Sequence, residues 1–540
     1  MKNSGEVMLV NDKANAFKED LKDGYVDKTQ LISFTNSIVS SKSKFICVSR
    51  PRRFGKSMAV HALVAYYSKG LDSHEIFKGL KISKDATYEK YINQFNTLFI
   101  NLQRYFDDGT GEHFFEVLNK DVIKKISNEF PKVFENKNIV TIKEALSEVY
   151  QAGYGKFVVV IDEWDMLLRD YGENKSLTDA YINLLRSLFR DEEFTDMFAL
   201  VYMTGILPIK RYKTQSALNN FIEYTMLNPG ELEDAFGFTE DEVKLICEQN
   251  KVDFKTTKMW YDGYHFRDYD IYNPYAITNL VRFKNFTSYW SSSSTTEPVI
   301  ECLKSNFKGL RDEIMQLVSG CKLTKEIDIS QTKIIPEEFA EANDVLVYLV
   351  HLGYLSYNQS TRSVSIPNQE IRSEFQKALK ACNWTEYNEE IKKSDELIEA
   401  TLGYRDVQRM AKLIGEYHQS HTSILDYNNE EDLKYTVLGA FFSAIKYYNK
   451  PLLEQPTGKG FADIIYLPNY ENYRSKPALI IELKNGHSAE DALKQIKEKN
   501  YVDFVKPYAK GALLIGISYD PKTKAHSCLI EEERFDVSET

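Results

Sequence analysis

Eight residues, Arg50-Pro51-Arg52-Arg53-Phe54-Gly55-Lys56-Ser57, constrain the fold of this chain more than any other stretch, because of what flanks them. Before them, Lys44–Ser49 (KFICVS) is a β-branched and aromatic run that reads as a strand. After them, Met58–Tyr67 (MAVHALVAYY) reads as a helix. A GKS at a strand-to-helix turn is where backbone N–H groups and a helix N-terminus hold phosphate oxygens. The pattern predicts that Gly55 lets the backbone approach the phosphates, that Lys56 reaches the β- and γ-phosphates, and that the Ser57 hydroxyl ligates Mg²⁺. Arg53, Phe54 and Met58 complete the candidate ATP-binding loop. One position departs from G-x-x-x-x-G-K-[ST]: Arg50 stands where the first glycine is expected.

A second stretch supports the first. Lys156–Ile161 (KFVVVI) is a continuous apolar run ending in Asp162 and Glu163, which predicts a fully buried strand of a parallel sheet. Carboxylates at its C-terminal end face the crevice where such sheets bind ligands. Asp162 is the candidate holder of the Mg²⁺ shell and Glu163 the candidate base that polarises the attacking water. A third apolar run, Phe198–Met203, leads into Thr204-Gly205. Thr204 is either a contact to the γ-phosphate or an ordinary strand-end threonine. Arg186, Arg190, Lys210 and Arg211 are candidates for sensing phosphate or for acting across a subunit interface.

A chain of 540 residues is too long for one hydrophobic core. The strand–helix alternation over 1–230 predicts an α/β domain, a parallel sheet with covering helices. Residues 231–400 read as mostly helical, with a helix ending at Gly353 and a hairpin formed by Tyr354–Tyr357 and Ser363–Ile366, a winged-helix-like arrangement. Residues 401–540 form a third block. The net charge of −11 argues against a protein that coats nucleic acid, though not against a local basic groove. Six scattered cysteines without C-x-x-C pairs suggest reduced thiols and hence the cytoplasm. No apolar run reaches membrane-spanning length, so no membrane association is expected.

The C-terminal block carries its own chemistry. Gly460–Leu467 (GFADIIYL) and Ala478–Lys484 (ALIIELK) read as two strands. In the second, Glu482 and Lys484 alternate with Leu483 and so share a face, while Asp463 lies near the start of the first. Mg²⁺, or Mn²⁺, takes oxygen ligands, here Asp463, Glu482 and the Leu483 carbonyl, and Lys484 would position or activate the attacking water. The alternative is a buried Glu482–Lys484 ion pair without metal. Lys459, Lys494, Lys497 and Lys499 either hold a phosphate backbone or form a solvated face.

RPRRFGKS, VVVIDEWD and MTGILPIK together resemble the AAA-ATPase-like family of prokaryotic proteins, in which the arginine routinely replaces the first glycine. YVDKT at 25–29, WYDGYHF at 260–266, YNPY at 272–275 and Tyr289-Trp290 extend the resemblance over most of 15–300. It implies an AAA-type sheet, and the winged-helix-like region over 231–400 is then either a lid of the ATPase or a nucleic-acid reader. YNNEEDL at 427–433, PTGKGFADIIYLP, ALIIELK, QIKEKNY at 495–501 and LLIGI at 513–517 are similar to the PD-(D/E)XK nuclease domain that often follows such an ATPase, a mixed α/β restriction-endonuclease-like fold. That resemblance implies roles near the metal for Glu430 and Gln495, with Glu454 and Tyr501 close by. Together the two imply an ATP-dependent nuclease acting on nucleic acid, DNA before RNA, assembled as a homo-oligomer and serving defence against phage or plasmids. The alternative is a non-catalytic nucleotide switch that signals through protein–protein contacts.

Overall fold

The computed structural model describes residues 14–22, 24–105, 113–209, 218–290, 297–305, 307–327, 333, 336–382, 388–421, 430–457, 460–469 and 475–535. The chain divides into two compact units, one of residues 1–289 and 326–362, the other of 290–325 and 363–540.

The first unit is built on five parallel strands, β1 (Phe45–Ser49), β2 (Asn96–Asn101), β3 (Phe157–Asp162), β4 (Phe198–Gly205) and β5 (Ile222–Tyr224), in the order β2-β3-β4-β1-β5. β1, β3 and β4 are buried along their whole length, which is why they read as unbroken apolar runs rather than alternating ones. Helix α1 (Lys56–Tyr67) begins directly after the loop that leaves β1. Two more helices, α2 (Met166–Asp170) and α3 (Lys175–Phe189), follow β3. Helix α4 (Pro274–Phe283) is started by Asn273, whose side chain accepts from Tyr275 N, with Pro274 in the first turn. The tyrosines of the WYDGYHF and YNPY motifs pack inward, with Tyr261 and Tyr272 in one core with Ile277 and Leu280.

Arg50 explains the missing glycine. It is fully buried, and its guanidinium donates to Ser49 O at 2.9 Å, Tyr224 O at 3.0 Å and Leu232 O at 3.0 Å. Its flat face lies over the rings of Phe236 and Phe266, at 5.3 and 5.5 Å. Burial pulls its pKa down to about 10, which leaves it charged near neutrality. Arg50 therefore joins the end of β1 to β5 and to the turn after it.

In the second unit, β6 (Leu452–Thr457), β7 (Gly460–Tyr466), β8 (Ala478–Asn485), β9 (Gly511–Asp520) and β10 (Ala525–Arg534) form a mixed sheet in sequence order. Only β8 and β9 are parallel. Helices α5 (Gln369–Cys382), α6 (Val407–His421), α7 (Glu430–Ala440) and α8 (Ala489–Glu498) belong to this unit. Ser488 and Asp491 form a capping box that fixes the start of α8 just after β8. The helix expected before Gly353 runs from Ala342 to Leu352 in the first unit, and Gly353 ends it at φ 85°. The two short strands of the expected hairpin, Ser356–Asn358 and Ser363–Ser365, fall on either side of the division between the units.

Two outcomes follow. Arg50→Gly restores the common loop glycine, yet it strips donors from three carbonyls and leaves a cavity. It should destabilise the protein by on the order of 3 kcal/mol or more, read as a lower melting temperature; an unchanged melt would contradict the structural role. The second outcome concerns acid. The His526 ring lies 5.1 Å from the His418 ring and 4.9 Å from that of Tyr519, and burial pulls its pKa down to about 4. Burial lowers His418 as well. A histidine held neutral in the fold but able to protonate when unfolded contributes stability that is complete above about 6.5 and lost as pH falls toward about 4. His526→Phe should flatten the fall in melting temperature across that window; curves parallel to wild type would sink the assignment.

Candidate functional site

The loop after β1, the turn and helix α2 that follow β3, and the first turns of α4 line a cleft of about 530 Å³. Arg52, Arg53, Gly55, Lys56, Ser57 and Met58 line one side, and Gln103, Glu163, Met166, Arg169 and Asp170 another. Gly55 sits at φ 89°, a left-handed conformation that glycine adopts without strain, and it caps α1. Lys56 is buried and donates to Arg50 O and Pro51 O, each at 2.9 Å, within its own loop. Burial lowers its pKa, opposed by the charges of Glu163 and Asp162. Ser57 Oγ donates to Asp162 Oδ2 at 3.0 Å, so the two residues expected to hold Mg²⁺ are adjacent. Burial raises the Asp162 carboxyl, and Glu163 adds to the shift. A hydroxyl and a buried carboxylate side by side suit a hard divalent cation, whose charge would replace the missing solvation.

The expected base, Glu163, is held more tightly than its sequence suggests. Its φ is 55°, unusual for a residue with a Cβ and costing on the order of 1 kcal/mol. Its neighbour imposes this: Trp164 is fully buried, its N donates to Thr204 O at 3.1 Å, and its carbonyl accepts from Tyr181 Oη at 2.6 Å. Arg169 Nη2 meets Glu163 Oε2 at 2.6 Å, and Arg169 Nε meets Asp165 Oδ2 at 3.0 Å. Asp165 in turn accepts from Ile206 N and Leu207 N, at 3.0 and 2.8 Å. A Cβ on Gly205 would come within 2.3 Å of the Asp165 carboxylate, so only glycine fits there. Sequence reading passed over Asp165 and Arg169. Their i, i+4 spacing after the Asp-Glu pair was the available signal.

Thr204 is corrected. It is fully buried and absent from the cleft wall, and its hydroxyl donates to Val48 O at 2.9 Å, tying β4 to β1. That placement is the one expected of an ordinary strand-end threonine. Phe54 is also buried, its ring edge-on to Tyr264 at 5.3 Å. Arg53 stacks on Tyr275 with its guanidinium 3.7 Å from the ring centroid, so the YNPY motif braces the loop. Arg186 Nη1 donates to Asn183 Oδ1 at 3.2 Å on the exposed side of α3, and Arg190 is exposed at its end. Lys210 and Arg211 lie outside the described residues. A second, more apolar chamber of about 170 Å³ shares Gly55, Met58, Pro274 and Thr278 with the cleft and is otherwise lined by Tyr25, Ile32, Phe238 and neighbours.

In the second unit the expected residues converge. Asp463 Oδ2 accepts from Leu483 N at 2.8 Å. Glu482 is almost wholly buried; its Oε1 meets Lys484 Nζ at 3.2 Å and accepts from Gln495 Nε2. Its other oxygen, Oε2, is buried and has no hydrogen-bond partner among the described residues. Burial, reinforced by the charge of Asp463, pushes the Glu482 carboxyl up to about 7. Burial also raises Asp463, against the pull of Lys484 and Lys434. A buried carboxylate oxygen without a partner beside a second carboxylate fits a divalent cation, which would supply the missing interaction. Glu430 is exposed at the first turn of α7, where its charge acts on Asp463, and Glu454 pairs with Lys434 at 2.6 Å. Gln495 also donates to Tyr501 Oη at 3.3 Å, and Tyr501 donates to Phe461 O at 2.7 Å. Lys497 pairs with Glu531 and Lys494 with Glu498. Residues 427–429 and Lys459 lie outside the described residues.

Comparison with known proteins matches a family model to one segment of each unit. Residues 15–214 match the family model described as AAA-ATPase-like, predicted AAA-ATPase, and residues 428–527 match that of the PD-(D/E)XK nuclease superfamily. A curated relative from Azotobacter chroococcum, described as an uncharacterized protein in the vnfD 5′ region, is 21% identical over 93% of this chain and 94% of its own. Two solved structures overlap it at 12% identity. One is Cdc6p from Pyrobaculum aerophilum, with a TM-score of 0.24 over 66% of this chain and 93% of that one. The other is the Aeropyrum pernix ORC2 protein in its ADPNP–ADP complexes, with a TM-score of 0.22 over 65% and 93%. The chain thus joins an AAA-ATPase-like domain over 15–214 to a domain of the PD-(D/E)XK nuclease superfamily over 428–527.

Proposed function

We propose that this protein binds and hydrolyses ATP in its first unit and cleaves nucleic acid phosphodiesters, with a divalent cation, in its second. The observation that carries the nuclease half is the buried Oε2 of Glu482, without a hydrogen-bond partner among the described residues, beside Asp463 and Lys484. A salt bridge alone leaves that oxygen unsatisfied; a cation completes it. Asp463 and Glu482 would hold Mg²⁺ or Mn²⁺, which when bound supplies charge stabilisation and an activated water. Lys484 orients the attacking water or balances the phosphorane charge, and Gln495 fixes the Glu482 carboxylate that it already touches.

In the first unit, phosphates lie along Gly55, Lys56 and Ser57, with the base in the apolar chamber that shares Gly55 and Met58 with the cleft. Asp162 and Ser57 would hold Mg²⁺. Glu163 acts on the attacking water after Arg169 releases it. The Glu163–Arg169 pair also favours a second reading, a nucleotide switch that turns over slowly, because the base is engaged by a cation until something displaces it. The setting we propose is cytoplasmic and the role defence against phage or plasmids. Assembly into a homo-oligomer would let Arg186 or Arg190 reach a neighbouring cleft. Among the described residues no helix is long and apolar enough to cross a membrane.

Lys56→Ala should abolish binding of a non-hydrolysable ATP analogue in isothermal titration. Glu163→Gln should bind it normally and hydrolyse ATP about 100-fold more slowly or worse; turnover at the wild-type rate removes Glu163 from the mechanism. At the second site, Asp463→Ala should lose both Mn²⁺ binding and cleavage. Lys484→Ala should keep Mn²⁺ binding, keep ATP hydrolysis and lose cleavage. A Lys484→Ala protein that cuts normally contradicts the catalytic role, and one that only melts earlier supports the plain ion pair.

A further inference from the structure

We infer that Phe461 is a stacking platform for an unpaired nucleobase beside the phosphate engaged by Asp463, Glu482 and Lys484, so that the substrate reaches this site as a single strand or a locally unpaired segment. The inference rests on reading that site as a nuclease and adds the form in which it takes nucleic acid.

Phe461 is 63% exposed, although it lies within a strand of the central sheet. It precedes Asp463 by two residues on β7, and the period-two alternation of a strand puts both on one face. Across the ladder it pairs with Pro456 of the edge strand β6, which is also exposed, so the ring has a stiff apolar neighbour rather than a mobile one. An isolated exposed aromatic is ordinary. This one is tied to the site: Tyr501 Oη donates to Phe461 O at 2.7 Å, Gln495 donates to Tyr501 Oη at 3.3 Å, and Gln495 also donates to Glu482. Three links therefore fix the backbone that carries the ring relative to the carboxylates. The closeness is built in, since a Cβ on Gly460 would lie 3.0 Å from Tyr501 Oη and 3.3 Å from Lys499 Cγ. The stem of Lys499 thus passes over Gly460, with Lys484 at the site itself.

An aromatic face beside a cationic, metal-binding face matches what single-stranded nucleic acid offers: a base plane and a phosphate one step apart. Base–aromatic stacking tolerates any sequence because every base has a π-face. In a duplex those faces are covered by neighbouring bases, so a fixed ring can stack only on a base out of its pair. The ring therefore selects for strand state and not for sequence.

The test uses the full chain and oligonucleotides with a central 2-aminopurine, as DNA and as RNA, single-stranded and duplex. Ca²⁺ replaces Mg²⁺ for the binding measurement. Wild type should quench the 2-aminopurine of the single strand. Phe461→Ala should lose the quenching and bind about tenfold more weakly, with an unchanged melting temperature, and Phe461→Trp should restore both. The DNA and RNA arms tell which strand is taken. Phe461→Ala binding and quenching like wild type, Phe461→Trp as weak as the alanine, or a wild-type preference for fully paired duplex each overturns the inference. Cleavage in Mg²⁺ separates the two readings. If wild type cuts, Lys484→Ala does not, and Phe461→Ala cuts single strands at the wild-type rate, the platform fails and the nuclease stands. Quenching that depends on Phe461 without cleavage in Mg²⁺ or Mn²⁺ leaves the platform and removes the nuclease.

Discussion

A guanidinium with no access to water organises the first unit. Arg50 needs acceptors wherever it goes, and it finds them on β1, on β5 and on the turn at Leu232. Unpaired, a buried cation of this kind would be intolerable, so the phosphate loop and the segment reaching Phe266 have to be assembled together. The second unit uses the same device. Arg372, also buried, donates to Val318 O at 2.9 Å and approaches Tyr448 O at 3.5 Å, joining α5 to a preceding segment and to the approach to the sheet. In each unit one arginine replaces what a larger apolar core would do without direction.

The chemistry sits where buried strands run out of apolar residues. Asp162 ends β3, Glu482 follows the apolar run Ala478–Ile481 inside β8, and burial raises both carboxyls. Their surroundings differ. Asp162 has Ser57 and a lysine whose pKa the same burial lowers, so the cleft is an array of balanced charges. Glu482 keeps one oxygen without a hydrogen-bond partner among the described residues. The first arrangement is suited to receiving a charged ligand in exchange for internal contacts, and the second to holding an ion.

Much of this was legible in the sequence because it is local. Strand–turn–helix patterning located the GKS, an unbroken apolar run located Asp162 and Glu163, and two-residue alternation put Glu482 and Lys484 on one face. What was not legible depends on distant partners. Nothing within RPRRFGKS says that Arg50 will be used by carbonyls at 224 and 232. Nothing around Thr204 says that its hydroxyl will turn to Val48 and away from the cleft. Arg169 was hidden for a different reason: on a helix, a charged residue reads as solvated until the fold closes over it. Gln495 was reached only through resemblance, since a glutamine on an amphipathic helix has no pattern of its own.

The two compact units are interleaved along the chain, with boundaries at 289/290, 325/326 and 362/363. During synthesis the first unit cannot be completed until residue 362 has emerged, while residues 290–325 must wait for a partner still to be made. A single nick within 290–362 leaves the units covalently tethered on at least one side of the cut through whichever pieces each has already incorporated. A truncation that keeps one unit whole also carries a fragment of the other: residues 1–362 include 290–325 of the second unit, and residues 290–540 include 326–362 of the first. A single recombination point therefore carries at best one whole unit together with a fragment of the other, and a point between 290 and 362 splits both.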